Sequence, residues 1–80
     1  MSWFNFGKKK KYYEVTDSTE TRMVGCRFIG EPKENTPFFV QVRSNDQDMD
    51  MTVYPIEVKR SNGEFFVQGQ YGIRLKAKAV

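Results

Sequence analysis

Histidine is missing from the chain, and cysteine occurs once, at Cys26. Without histidine there is no Cys-His dyad, no Ser-His-Asp triad and no mixed Cys/His zinc site, and a lone cysteine cannot close an intrachain disulfide. Acid-base chemistry would have to run on Asp, Glu, Lys or Tyr. Asp17, Glu31, Glu34, Glu57 and Glu64 are scattered through loops and exposed positions, and none is paired in an apolar setting that would tune its pKa. Glycine-rich phosphate loops are also missing, since Gly63, Gly69 and Gly72 serve turns. An enzyme therefore ranks last among the readings, and no cofactor or metal is expected. No apolar run reaches the length of a membrane span. The N-terminal lysines follow the apolar residues, the reverse of a signal peptide. With a single cysteine that suits a reducing compartment, the expected location is cytoplasmic.

What is present is compact and mildly basic. Eighty residues make one domain, and a chain this short buries only ~60% of its unfolded surface. The net charge is +3, with 29% of residues charged, so local distribution and not whole-molecule charge decides the partner. Aromatics reach 15%, more than so small a core can hold, so several are expected on the surface. Residues 1–11 read as an arm: Trp3, Phe4 and Phe6, then Lys8, Lys9, Lys10 and Lys11. Such an arm suits packing on the domain or on a partner, interfacial contact with anionic lipid, or phosphate contacts. Residues 12–80 read as a single β domain.

Along that domain the periodicity is two. Tyr12 to Val15 is a short first strand, and Asp17 to Glu20 has capping-box spacing that supports at most one helical turn. Arg22 to Ile29 alternates, with Val24, Cys26 and Phe28 on the core side and Met23, Gly25 and Arg27 opposite. Residues 30–37 form a loop whose two prolines bar it from a central ladder. Phe38 to Arg43 and Met49 to Tyr54 form a hairpin across Ser44-Asn45-Asp46-Gln47. That loop pairs Arg43 with Asp48, Val40 with Met51 and Phe38 with Val53, and collects Phe38, Val40, Val42, Met49, Met51 and Val53 on the core face. Pro55 predicts a bend or bulge. Ile56 to Ser61 pairs with Glu64 to Gln68 across Asn62-Gly63, a strong two-residue hairpin signal. This register sets Val58 against Val67 and Arg60 against Phe65 on one face, and Lys59 against Phe66 and Glu57 against Gln68 on the other. The last strand puts Tyr71, Ile73, Leu75, Ala77 and Ala79 on one side and Arg74, Lys76 and Lys78 on the other.

The fold expected from this pattern is all-β and mainly antiparallel. It is either a small five- or six-stranded barrel, OB-like or SH3-like, or a compact sandwich. Such a small core also fits a dimer or packing into a larger assembly.

The leading functional candidate is a basic, partly aromatic face made of Lys59, Phe66, Arg74, Lys76 and Lys78, assisted by Lys8 to Lys11. Cations spaced along a strand follow phosphates and exposed rings stack bases, which points to a module preferring single-stranded nucleic acid. The same residues also have an ordinary structural account, because Arg and Lys on a terminal strand guard an edge and Lys beside Phe is a common cross-strand pair. Size, the all-β pattern and the basic C-terminal strand are broadly similar to the small single-stranded-DNA-binding proteins of filamentous phages. That similarity is architectural and carries no residue assignments. The alternative is a small viral or accessory protein that docks on a protein partner, or on a second copy, through Trp3, Phe4 and Phe6. A membrane surface is a third reading for the same arm. Asp46, Asp48 and Asp50 alternate as in a calcium loop, but the sixth loop position is Met51 instead of glycine and the twelfth, Glu57, falls in a strand. A solvated strand face facing Arg43 accounts for them better.

Overall fold

A computed structural model describes residues 11–80. Seven strands form one antiparallel sheet: β1 (Tyr12–Ser18), β2 (Arg27–Ile29), β3 (Phe38–Ser44), β4 (Gln47–Val53), β5 (Pro55–Ser61), β6 (Glu64–Gly69) and β7 (Arg74–Ala79). The spatial order is β4-β3-β2-β1-β7-β6-β5. Read as a ring this is simply chain order, because β4 ends at Val53 and β5 begins at Pro55, so one bent segment supplies both outer strands. The sheet curls into a half-barrel, as the all-β pattern predicts. The described residues hold seven strands, more than the five or six expected, and Tyr12 to Val15 extends to Ser18 as a full strand paired with β2 on one side and β7 on the other.

Both hairpins take the registers that alternation dictates. In β3–β4, Phe38 faces Val53, Val40 faces Met51 and Arg43 faces Asp48. The turn itself is tighter than four residues. Ser44 pairs with Gln47, and Asn45 and Asp46 both have positive φ, at 53° and 63°. That is the mirror-image turn whose twist matches the flanking strands. In β5–β6, Val58 faces Val67, Lys59 faces Phe66 and Arg60 faces Phe65. Asn62 and Gly63 turn the chain with φ of 52° and 80°. The register slips between Pro55 and Glu57, which is the bulge expected where proline withholds a ladder donor.

The concave face holds the core: Tyr13, Val15, Met23, Phe28, Phe38, Val40, Val42, Val53, Phe65, Val67, Leu75 and Ala77. Its aromatic members run across four strands. Phe65 meets Tyr13 edge-on at 5.4 Å, Tyr13 stacks on Phe28 at 5.7 Å, and Phe28 tilts against Phe38 at 4.6 Å. Ring pairs in this range contribute ~0.5–1.5 kcal/mol each beyond their buried area. Burial raises the Tyr13 phenol pKa; the Glu31 carboxylate adds to the shift and Arg60 opposes it.

Four core expectations fail, each for a local reason. Between residues 22 and 26 the period-two reading inverts: Met23 is fully buried and Val24 is exposed. Thr21–Met23 is a 3-10 turn capped by the Glu20 carboxylate, which accepts from the Arg22 N–H, and Gly25 then takes φ of 86°. A turn followed by a left-handed residue resets the phase, so Phe28 still points inward. The capping residue is thus Glu20 and not Asp17, whose carboxylate accepts from Ser18 N–H instead. Hydrogen bonding from Arg22 lowers the Glu20 pKa. Met49 keeps its register but is exposed, because β4 is an outer strand that overhangs the core. Tyr71 is 84% exposed. It lies in the 3-10 turn Gln70–Gly72 with φ of 63°, before β7 begins. Ala79, at the far end of β7, is also exposed.

The loop at residues 30–37 covers the free edge of β5. Asn35 N–H donates to the Pro55 carbonyl at 3.0 Å, and Val58 N–H donates to Glu34 Oε2 at 3.1 Å. A side-chain carboxylate thus occupies a ladder position that would otherwise be open to another chain.

Candidate functional site

β7 decides the site. It is not an edge but a central strand, paired with β6 through Gln68–Arg74, Phe66–Lys76 and Glu64–Lys78 and with β1 through Asp17–Lys76 and Glu14–Lys78. The Asn62-Gly63 hairpin alone left this pairing open. With it, Lys59, Phe66 and Lys76 fall on one rung of the convex face, across β5, β6 and β7. Glu57, Gln68 and Arg74 form the next rung. Lys78 stands on the opposite side of the Phe66 rung, between Glu64 and Glu14.

The first two rungs line an open depression of about 430 Å³, whose rim includes Asp17, Ser18 and Thr19. At its centre Phe66 is 38% exposed, and the Lys76 ammonium lies 5.5 Å from the ring centroid. A cation over a ring at this distance is worth ~0.5–1 kcal/mol on a surface. The Lys59 ammonium is 3.8 Å from the Glu57 carboxylate, an exposed pair of little net energy. The start of β7 is pinned by β1: Arg74 N–H donates to Thr19 Oγ1 at 3.0 Å, and Ser18 Oγ donates to the Arg74 carbonyl at 3.0 Å. The register slip between Val15 and Asp17 swings Asp17 opposite Lys76.

The structure thus brings Lys59, Phe66, Arg74 and Lys76 together and sets Lys78 to one side. It also adds Asp17, which sequence reasoning missed, to the same depression as Glu57, which the hairpin register sets on the face of Lys59 and Phe66. On the rung of Lys78 the charges alternate from strand to strand through Glu64, Lys78, Glu14 and Arg27. Arg27 Nε lies 4.0 Å from Glu14 Oε1. The convex face is mixed in sign, with a cationic excess concentrated around Phe66. Spacing within each strand carries no trace of this, because the interleaving arises from pairings between strands, and those of β1 with β7 join residues about sixty apart in the chain.

Lys8, Lys9 and Lys10, and with them Trp3, Phe4 and Phe6, lie outside the described residues; Lys11 is exposed. Phe39, Tyr54 and Arg27 face outward, as alternation predicts. Arg43 is 3.6 Å from Asp48, and among the described residues no three potential metal ligands converge. Arg60 sits 5.2 Å over the Phe65 ring and 3.8 Å from Glu31, where it closes one end of the core. Among the described residues no helix is long and apolar enough to cross a membrane. No family model matches the chain, and no curated protein or solved structure matches it significantly.

Proposed function

We propose that this protein is a non-enzymatic, cytoplasmic nucleic-acid-binding module that prefers single strands and binds them on the depression around Phe66. One observation carries the reading: an exposed ring set between two lysines on one rung, with an arginine one rung away. A flipped-out base stacks on the ring while its flanking phosphates meet Lys59, Lys76 and Arg74, with Lys78 further along β7. A duplex hides its base faces and has no use for Phe66. Asp17 and Glu57 limit the footprint by repelling phosphates that stray toward the rim, so the site is short and its affinity modest.

The magnitude follows from the residues. Four cations neutralising four phosphates give a logarithmic salt slope of ~−2.8 for a single strand, at about −0.7 per phosphate. If Lys8 to Lys11 contribute as well, the slope approaches ~−5.6 on the same basis. Removing the ring in Phe66→Ala loses ~1–3 kcal/mol of stacking, about 5- to 150-fold in affinity. The test is fluorescence anisotropy with labelled single-stranded and duplex oligonucleotides at low and moderate salt. Binding of the single strand that weakens with salt and with Phe66→Ala supports the reading. No binding at low salt, or equal loss of single strand and duplex in Phe66→Ala, ends it.

A further inference from the structure

Away from that depression, the convex face of β1–β3 carries an apolar strip. Val80, Tyr12, Ile29 and Phe39 follow one another from the end of β7 across β1, β2 and β3, and are 63%, 47%, 51% and 58% exposed. Val80 N–H donates to the Tyr12 carbonyl at 3.1 Å, and Tyr12 is in register with Ile29. The Arg27–Gln41 pair then brings Ile29 level with Phe39. All four line one groove of about 940 Å³, together with Lys11 and Asp50. Single exposed apolar residues are ordinary, whereas a contiguous set spanning four strands marks a surface that something covers.

We propose that the strip is the docking surface for the chain's own residues 1–10, with Trp3, Phe4 and Phe6 seated across Tyr12, Ile29, Phe39 and Val80. The described chain begins at Lys11, in the lining of the groove itself. Trp3 precedes Lys11 by eight residues, a reach of up to ~26–29 Å at 3.3–3.6 Å per residue. The strip spans three strand spacings, ~14 Å, so the segment is long enough to turn back over it, and Gly7 gives it a residue free to turn. A short tether also sets an effective concentration of the order of mM. A second copy or another protein would have to exceed that concentration to displace it. The chemistry matches at the apolar end, where three rings meet an apolar seat, while the lysines between them and Tyr12 remain at a margin that holds both Asp50 and Arg27.

Trp3 is the only tryptophan, so its fluorescence reports on this segment alone. In the full-length protein we expect emission blue-shifted from that of free tryptophanamide and shielded from acrylamide, unchanged on serial dilution. Phe39→Asp and Ile29→Asp, both at exposed positions, should abolish the shift and leave the far-ultraviolet dichroism and melting temperature intact. Solvent-like emission in the wild-type protein overturns the proposal, including emission that turns blue only on adding anionic vesicles. A blue shift that disappears on dilution also overturns it and assigns the strip to a second copy. A shift that survives both substitutions places Trp3 elsewhere. The dilution series needs no variant and so stands whatever the substitutions do to folding.

Discussion

Gly69→Ala tests the corner on which the whole sheet turns. Gly69 ends β6 opposite Pro55, where the bent segment passes from β4 into β5. Its φ of −108° and ψ of 177° are open to any residue, so backbone conformation does not demand glycine. On chain entropy alone alanine would stabilise the protein by ~0.4–1 kcal/mol. Space argues the other way. A Cβ at Gly69 would lie 3.2 Å from the Tyr54 carbonyl oxygen, 3.4 Å from Val53 Cγ1 and 3.5 Å from the Ile73 carbonyl oxygen. Neither carbonyl is free to retreat, because Tyr54 accepts from Gln70 N–H at 2.9 Å and Ile73 accepts from Gly69 N–H at 2.7 Å. Overpacking of this kind costs ~1–3 kcal/mol. The steric effect therefore outweighs the entropic one, and Gly69→Ala should be destabilised by ~1 kcal/mol, lowering the melting temperature by about 4–8 °C. Differential scanning calorimetry reads this directly, with urea titration as the check on cooperativity. A variant that melts at or above the wild-type temperature would refute the tight corner, and with it the account of how β4 and β5 share one segment.

Met23→Ala should lose ~2–5 kcal/mol, the range for emptying a fully buried long side chain, although simple alternation places Met23 outside; a loss within a few tenths of a kcal/mol would mean the turn at Thr21–Met23 does not point it inward. The buried Tyr13 phenol has a pKa raised by desolvation. Stability is therefore undiminished by this group below about pH 10, the unfolded value, and falls as pH rises from there through the higher folded value. Tyr13→Phe should flatten this part of the alkaline profile in chemical denaturation. An unchanged slope would show that other groups account for it. Glu34→Ala frees the Val58 N–H on the β5 edge, so it should promote self-association at high protein concentration, followed by light scattering. A variant as monodisperse as the wild type would show that the carboxylate does not guard this edge.

Much of the fold was legible where interactions are local. Asn62-Gly63 needs only its neighbours to turn, and Val58 and Val67 then have no choice of face. Phe38, Val40 and Val42 against Val53 likewise fix β3–β4 because any slip would bury Asp50. Legibility ends where phase or pairing is set at a distance. Gly25 breaks the count between Met23 and Phe28, and periodicity has no means of marking a reset. Tyr71 follows the alternation of β7 on paper but belongs to a turn. The site divides in the same way: Lys59 beside Phe66 could be read from the hairpin. Lys76 joining them depends on how β7 pairs with β6, and Asp17 facing Lys76 depends on β1 and β7 meeting across the length of the domain.

That meeting has a consequence for how the molecule is built in time. β1 and β7 lie at the two ends of the domain yet stand side by side at its centre, and bringing Tyr13 to Ala79 closes a loop of more than sixty residues. By loop-closure entropy this is ~2–3 kcal/mol less favourable than closing a tight hairpin. The β3–β4 and β5–β6 hairpins can form as soon as they are synthesised, on the microsecond scale of local turns. Each is only a two-stranded ribbon with an apolar face open to water. The β1–β4 half can pair in chain order, but it is not joined to β5–β6 through the sheet until Arg74–Ala79 has left the ribosome, so the complete core forms late. Until then the core faces that carry Phe38, Val40 and Phe65 are incompletely covered, and that interval is when a nascent chain of this design is open to chaperones or to misassociation.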